Sequence, residues 1–216
     1  MSPELPQGLF ARRRLMRWLG SLSLMPLAAL VGPRTTLAAR RLLPTPTDDL
    51  GPFYPPDWSG DIDTDLTHVG DGSANGSPLT LEGTVRDTSG RTISGATVEI
   101  WQADARGRYR HPGVDPHTRD AGFQGYGRTK TDGEGRYRFV TIIPGNYGSR
   151  PPHIHFRILP PAGRELVTQM YFRGNNREGN GYAPPEREAL TVDLVGQEAA
   201  GKVSFAARFD LTLPEA

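Results

Sequence analysis

No cysteine occurs among the 216 residues, which excludes a disulfide framework, an iron–sulfur cluster, a thiolate metal site and a cysteine nucleophile. Excess charge of one sign is also missing. The 25 Lys and Arg stand against 24 Asp and Glu, a net of +1, so the chain carries no footprint for nucleic acid. No apolar run reaches the ~20 residues of a membrane span. There is no nucleophile elbow, no phosphate loop and no Ser-His-Asp arrangement. Gly and Pro are abundant instead, at 26 and 20 residues. With regular turn signals they favour an all-β protein over a helical one. The length suits one domain of roughly 150–200 residues with a core of its own.

The first 39 residues read as a leader. Arg12-Arg13-Arg14-Leu15-Met16-Arg17 precedes an apolar run from Trp18 to Val31, followed by Thr36-Leu37-Ala38-Ala39. A basic segment, a short apolar segment and small residues define an export signal. The paired arginines resemble a twin-arginine signal, a route that carries folded proteins. Cleavage near Ala38 or Ala39 leaves no membrane anchor and puts the mature protein in the periplasm or outside the cell. It removes five Arg and one Glu, taking the net charge from +1 to −3.

Residues 40–78 read as an irregular arm. Within it, Gly51-Pro52-Phe53-Tyr54-Pro55-Pro56 sets two aromatics in a stiff loop that either packs on the domain or walls a pocket. His68 reads as solvated. Residues 79–216 then carry about eight strand signals at short intervals: 79–86, 96–103, 125–131, 137–143, 153–159, 166–172, 190–194 and 203–213. A sandwich of two antiparallel sheets is the natural closure. The loops 106–125 and 174–188 are long, and long ordered loops tend to be functional.

In the strand starting at His153, alternation points Ile154, Phe156 and Ile158 one way and His153, His155 and Arg157 the other. Two imidazoles about 6.5 Å apart by strand rise are close enough to share an ion, and equally compatible with two solvated histidines. Their company favours the ion: Arg150 three residues upstream of His153, Tyr147 six upstream, and Tyr109 in Gly-Arg-Tyr-Arg-His. A phenol titrates near 10, so it binds as phenolate only where a strongly charged ion displaces the proton. Two phenolates are hard anionic donors that favour Fe(III) over Zn(II), for which nitrogen and sulfur are usual. The rival is a 2-His-1-carboxylate Fe(II) site, but no acid adjoins His153-Ile154-His155. Arg150 precedes Pro151-Pro152, which stiffens its backbone and suits it to stabilising developing negative charge. Tyr137 and Trp101 read as core, and His111 and His117 as exposed.

Taken together, these motifs resemble the intradiol ring-cleavage dioxygenases, particularly protocatechuate 3,4-dioxygenase subunits. The similarity runs through Glu99–His111, Gly127–Asp132, Gly135–Pro144, Arg150–Phe156 and Thr168–Phe172, with Gly51–Tyr54 similar to the family's Gly-Pro-aromatic segment near the substrate. The resemblance implies non-haem Fe(III) held by Tyr109, Tyr147, His153 and His155, with Arg150 as the catalytic arginine and Tyr147 as the ligand displaced by substrate. It places Tyr54, Gln169 and Tyr171 near the substrate. The implied reaction is ortho cleavage of a catechol-type diol with O2, giving a cis,cis-muconate-type product. Familiar members pair two related subunits; for this single chain a homo-oligomer is the assembly kept open, with a small aromatic diol and O2 as the expected partners. Two departures stand out. Only Gly148 and Ser149 separate Tyr147 from Arg150, where the protocatechuate enzymes have a longer substrate-contacting loop, and the leader has no counterpart in the cytoplasmic enzymes. Two other readings compete with this one: a transthyretin-like binding module, suggested by the early hairpin, and an exported metal-binding protein without oxygenase activity.

Overall fold

The period-2 alternation gives each long strand one apolar face, and burying those faces against each other builds two layers. The computed structural model describes residues 41–174, 185–199 and 201–215. The leader at 1–39 and the loop residues 175–184 lie outside the described residues. Chain order gives β1 (His68–Val69), β2 (Gly72–Ser73), β3 (Pro78–Arg86), β4 (Thr97–Gln102), β5 (Tyr126–Lys130) and β6 (Arg136–Ile142). Then come β7 (His153–Leu159), β8 (Leu166–Phe172), a short helix α1 (Pro185–Ala189), β9 (Thr191–Val192), β10 (Val195–Ala199), β11 (Lys202–Arg208) and β12 (Leu211–Thr212).

One sheet is built on β3, with β6 on one side and β11 and β12, then β10, on the other. The second sheet has the order β5-β4-β7-β8-β9. The expected two-sheet sandwich therefore forms, and most pairings are antiparallel. β11 and β12 run parallel to β3, and β9 runs parallel to β8. The first parallel pair has a topological cause: the β10–β11 hairpin reverses the chain once more before it reaches the open edge of β3.

The core lies between the layers. Leu79, Leu81 and Val85 of β3 and Phe139 of β6 are buried in one cluster with Val98 and Ile100 of β4 and Ile154, Phe156 and Ile158 of β7. Burial of each such side chain contributes about 1.5–3 kcal/mol. Tyr137 is buried with them, as its alternation with Arg136 and Arg138 predicts, and its hydroxyl donates to the Phe209 carbonyl.

The outer faces of the two sheets differ. On β6, Arg136 and Arg138 are exposed. The outer face of β4, β7 and β8 is covered, because the arm crosses it. Leu42 and Thr45 donate backbone hydrogen bonds to Thr88 and Thr212 at the edge of the first sheet, and Asp48 donates to Val167 on β8. Residues 51–58 then pass over the second sheet. Beyond them, Arg128 donates to Ile62, Val140 to Thr64 and Leu66 to Val140, so the arm also bridges β5 and β6. Farther along the arm, β1 and β2 form a small hairpin in which His68 is exposed, as expected. Strand physics supplies the two layers, and the arm turns one solvent face into a buried one.

Candidate active site

Strand register assembles the first half of the site. β7 presents His153, His155 and Arg157 away from the core. The neighbouring strands set Trp101 of β4 and Gln169 of β8 opposite His155, Tyr171 opposite His153, and Glu99 opposite Arg157. Both imidazoles are buried, at 3% and 2% exposure. They lie beneath the arm and loops and are not solvated. The rings meet edge to face at 4.9 Å between centroids.

Loops bring the phenols. After β4 the chain makes a tight turn in which Asp104 Oδ1 accepts from the Arg106 and Arg108 backbone N–H groups at 2.8 and 3.0 Å. Ala103 bridges Tyr109 across this turn. Gly107 has φ 79, and a side chain there would overlap the Asn146 carbonyl. The turn carrying Tyr109 and the loop carrying Tyr147 are thus packed backbone to backbone, a close approach only glycine permits. The two phenol rings lie edge to face at 5.5 Å. Arg150 N donates to the Tyr147 carbonyl at 2.9 Å, closing the short turn that the two intervening residues allow.

Hydrogen bonding fixes the tautomer of His153. Nδ1 lies 2.7 Å from the Pro151 carbonyl, which can only accept. The proton therefore sits on Nδ1, and Nε2 keeps its lone pair. The Tyr109 hydroxyl lies 3.0 Å from Nε2 and donates to it. Around His155, Trp101 stacks face to face at 4.8 Å, and among the described residues no hydrogen-bond partner in good geometry reaches the buried Nδ1. Gly51 arches over the same ring with φ 73, where a Cβ would lie 3.1 Å from Cε1.

Electrostatics keep both imidazoles and the Tyr109 phenol neutral. Burial lowers the His153 pKa to about 4. Burial, then the neighbouring His153 and Arg150, lower that of His155 to about 2. Burial pushes the Tyr109 phenol well above its usual value, opposed by Arg150. Neutral imidazoles are the ligating form. A phenol held this firmly to its proton ionises only beside a concentrated positive charge. Among the described residues no three His, Cys, Asp or Glu side chains cluster, so a 2-His-1-carboxylate site finds no carboxylate. The donor set is two imidazoles and two phenols, and it fits a small, hard, highly charged cation.

Arg150 Nη2 donates to Gln169 Oε1 at 2.7 Å and approaches the Tyr171 hydroxyl at 3.4 Å. The structure thus brings Arg150, Gln169 and Tyr171 to one side of the cluster. Tyr54 is elsewhere. Its hydroxyl donates to Glu99 Oε2 at 2.7 Å and accepts from Arg157 and Trp58, and its ring meets Trp101 edge-on at 5.0 Å. The aromatic that faces the cluster is Phe53, stacked on Tyr109 at 4.6 Å and edge-on to Tyr147 at 5.1 Å. The expectation for the arm thus moves by one residue, because Gly51 turns the chain over His155. Trp101 is buried as expected, but on the histidine face, not between the sheets. His111 is half-buried, its ring 5.5 Å from Phe53, while His117 is exposed in a single 3-10 turn. Sequence reasoning missed Asp48, whose Oδ2 accepts from the Tyr171 hydroxyl at 2.8 Å, and Arg187, whose guanidinium lies 4.6 Å over the Tyr171 ring. Neither has a local sequence signal, since each reaches Tyr171 only through the fold.

A family model described as Dioxygenase matches residues 50–215. The protocatechuate 3,4-dioxygenase beta chain of Burkholderia cepacia is 44% identical over 140 residues, 59% of this chain and 59% of that one. A solved dioxygenase domain, from a dioxygenase carbohydrate-binding protein fusion of Streptomyces sp. SirexAA-E, is 31% identical with a TM-score of 0.62, covering 80% of this chain and 99% of that one. Catechol 1,2-dioxygenase from Pseudomonas arvilla C-1 is 29% identical with a TM-score of 0.66, covering 80% of this chain and 63% of that one. The chain spans little more than half the length of the curated relatives it matches. The matched region takes in both sheets and all four donors, and the chain belongs to the intradiol ring-cleavage dioxygenases.

Proposed function

We propose that this chain catalyses intradiol cleavage of a catechol-type diol with O2, at a non-haem ferric ion held by Tyr109, Tyr147, His153 and His155. The observation that carries this is the convergence of two neutral imidazoles and two phenols beside one guanidinium. When bound, the metal would act as a Lewis acid that chelates the diol and prepares its ring for O2. The bond between the two hydroxyl-bearing carbons breaks, both oxygen atoms enter the product, and a cis,cis-muconate-type diacid results.

The protein's own groups have separable tasks. Tyr147, the more exposed phenol, would hold the metal as phenolate, and that phenolate oxygen is assigned to take a proton from the incoming diol. Tyr109, stacked under Phe53 and facing His153, stays in place. The His153 Nδ1–H bond to Pro151 keeps Nε2 aimed at the cluster. Trp101 and Phe53 cover His155 and Tyr109 and exclude water, which strengthens every charge interaction inside. Arg150 stabilises the negative charge that develops on oxygen during rearrangement.

The test is a visible absorption spectrum of the purified protein, before and after anaerobic addition of catechol. A red-brown band that shifts on addition is expected. A colourless protein with stoichiometric zinc would end the ferric reading. Comparing catechol, protocatechuate and hydroxyquinol turnover then decides the substrate, with the short Tyr147–Arg150 turn arguing against protocatechuate. We also propose export through the leader at 1–39. Lysine substitution of Arg12 and Arg13 should retain the protein in the cytoplasm, and unchanged fractionation would refute that route.

A further inference from the structure

We propose that Asp48, on the arm, is a positioning residue that sets the direction in which Arg150 presents its guanidinium, acting through Tyr171 and Gln169. The proposal rests on the ring-cleavage reading for what Arg150 does, while the hydrogen-bond chain stands on the structure alone.

The Tyr171 hydroxyl has one proton to give and two acceptors within reach: Asp48 Oδ2 at 2.8 Å and Gln169 Oε1 at 3.1 Å. A carboxylate is the stronger acceptor, so the proton points toward Asp48. Two consequences follow for Arg150. The phenol oxygen turns its lone pairs toward Arg150 Nη2, 3.4 Å away. Gln169 Oε1, released from Tyr171, accepts from Arg150 Nη2 at 2.7 Å. Without the carboxylate, the phenol proton swings onto Gln169 Oε1 and competes with Arg150 for it.

The arm also fixes the amide. Gln169 Nε2 donates to the Asp49 carbonyl at 2.7 Å and approaches Asp48 Oδ1 at 3.4 Å. A carbonyl accepts only, so the amide nitrogen faces the arm and Oε1 must face Arg150. Asp48 is held by its own backbone, whose N–H donates to Val167 O at 3.1 Å, and a separate contact, Thr168 Oγ1 to Pro46 O at 2.7 Å, staples the arm nearby. The arm is therefore docked on the two residues that precede Gln169. A chain of donors runs from Arg150 to Tyr171 to Asp48, and its last member comes from the arm, more than 100 residues away in sequence.

A staple that merely held the arm to β8 would show the same distances, so the test separates the two roles. Turnover and anaerobic diol binding are measured for the wild type, Asp48→Asn, Tyr171→Phe, the double variant, and Thr168→Val, which removes a staple and leaves the chain of donors. Asp48→Asn should lower kcat about tenfold or more while diol binding shifts by less than about threefold. In the Tyr171→Phe background the same substitution should change kcat less than about twofold. Thr168→Val should lower the melting temperature and leave kcat within about twofold. Unchanged kcat in Asp48→Asn, or full additivity with Tyr171→Phe, overturns the proposal. If the wild type turns over no diol, the ring-cleavage reading falls and the 15N NMR signal of the Arg150 side chain in metal-stripped protein decides. Asp48→Asn must then broaden or shift that signal, and an unchanged signal overturns the positioning role.

Discussion

At the scale of single residues, two side chains are predicted to fail in different ways. Arg150 is half-buried, and its side-chain hydrogen bonds go to Gln169 and Tyr171. Arg150→Ala should leave the fold and the visible band intact and lower kcat by about 10²–10³-fold, the usual loss for one preorganised charge donor. Retention of wild-type kcat would remove Arg150 from the mechanism. Tyr109→Phe removes a buried donor that already faces His153 Nε2 at 3.0 Å. It should cost more than about tenfold in metal affinity and weaken the visible band to what Tyr147 alone supplies, and iron analysis by mass spectrometry checks the loss of metal directly. The histidines were legible in sequence because strand alternation is a two-residue rule that needs no tertiary information. Tyr109, Tyr147 and Arg150 were legible through motifs. Phe53 and Asp48 were not, because which arm residue overlies which strand depends on where Gly51 turns the chain.

At the scale of elements, sequence patterning succeeded where apolar residues alternate with polar ones or fill a short run, even where the arm later buries the outer face. The interval read at 153–159 coincides with β7, and that at 166–172 with β8. β10 was missed for the converse reason: all five of its residues are exposed, so Val-Gly-Gln-Glu-Ala carries no alternation. The split of the final strand into β11 and β12 occurs at Phe209-Asp210, where Asp210 Oδ1 accepts from the Thr84 backbone N–H, a side chain taking over a ladder position. The arm is the element with the least signal and the largest effect. Residues 50–58 of the arm grip the second sheet through the Tyr54 hydroxyl, shared among Glu99, Arg157 and Trp58. Glu99 is 3% exposed and pairs with Arg128 at 3.1 Å and Arg157 at 3.9 Å. Tyr54→Phe leaves that carboxylate one donor short, a cost of about 1–3 kcal/mol. The loss should appear locally, as faster amide exchange along 50–58 with the β7 amides unchanged. Uniform acceleration across β7 would mean that the hydroxyl supports the whole sheet.

At the scale of the molecule, the question is whether the arm is an accessory or part of the folding unit. Leu66 decides it. It is fully buried in the same cluster as Phe139, Ile100 and Phe156, although it belongs to the irregular arm. Its backbone N–H donates to Val140 of β6, and its carbonyl accepts from Gln124, just before β5. One residue of the arm therefore closes the gap between the two sheets at the β5–β6 edge, while residues 45–48 close the opposite side against Thr212 and Val167. A segment bonded at both edges and buried in the middle should unfold with the sandwich. Leu66→Ala removes buried methyl groups that the rigid strands around it do not replace, so it should destabilise the protein by about 2–5 kcal/mol. In urea, fluorescence and far-ultraviolet circular dichroism should then report one shared transition displaced to lower denaturant, with an unchanged slope. If the arm were independent, the main transition would stay in place and a separate early one would appear. In that case the cover over His155 would open without unfolding, and the neutral, water-poor state of both imidazoles would no longer be a property of the native fold.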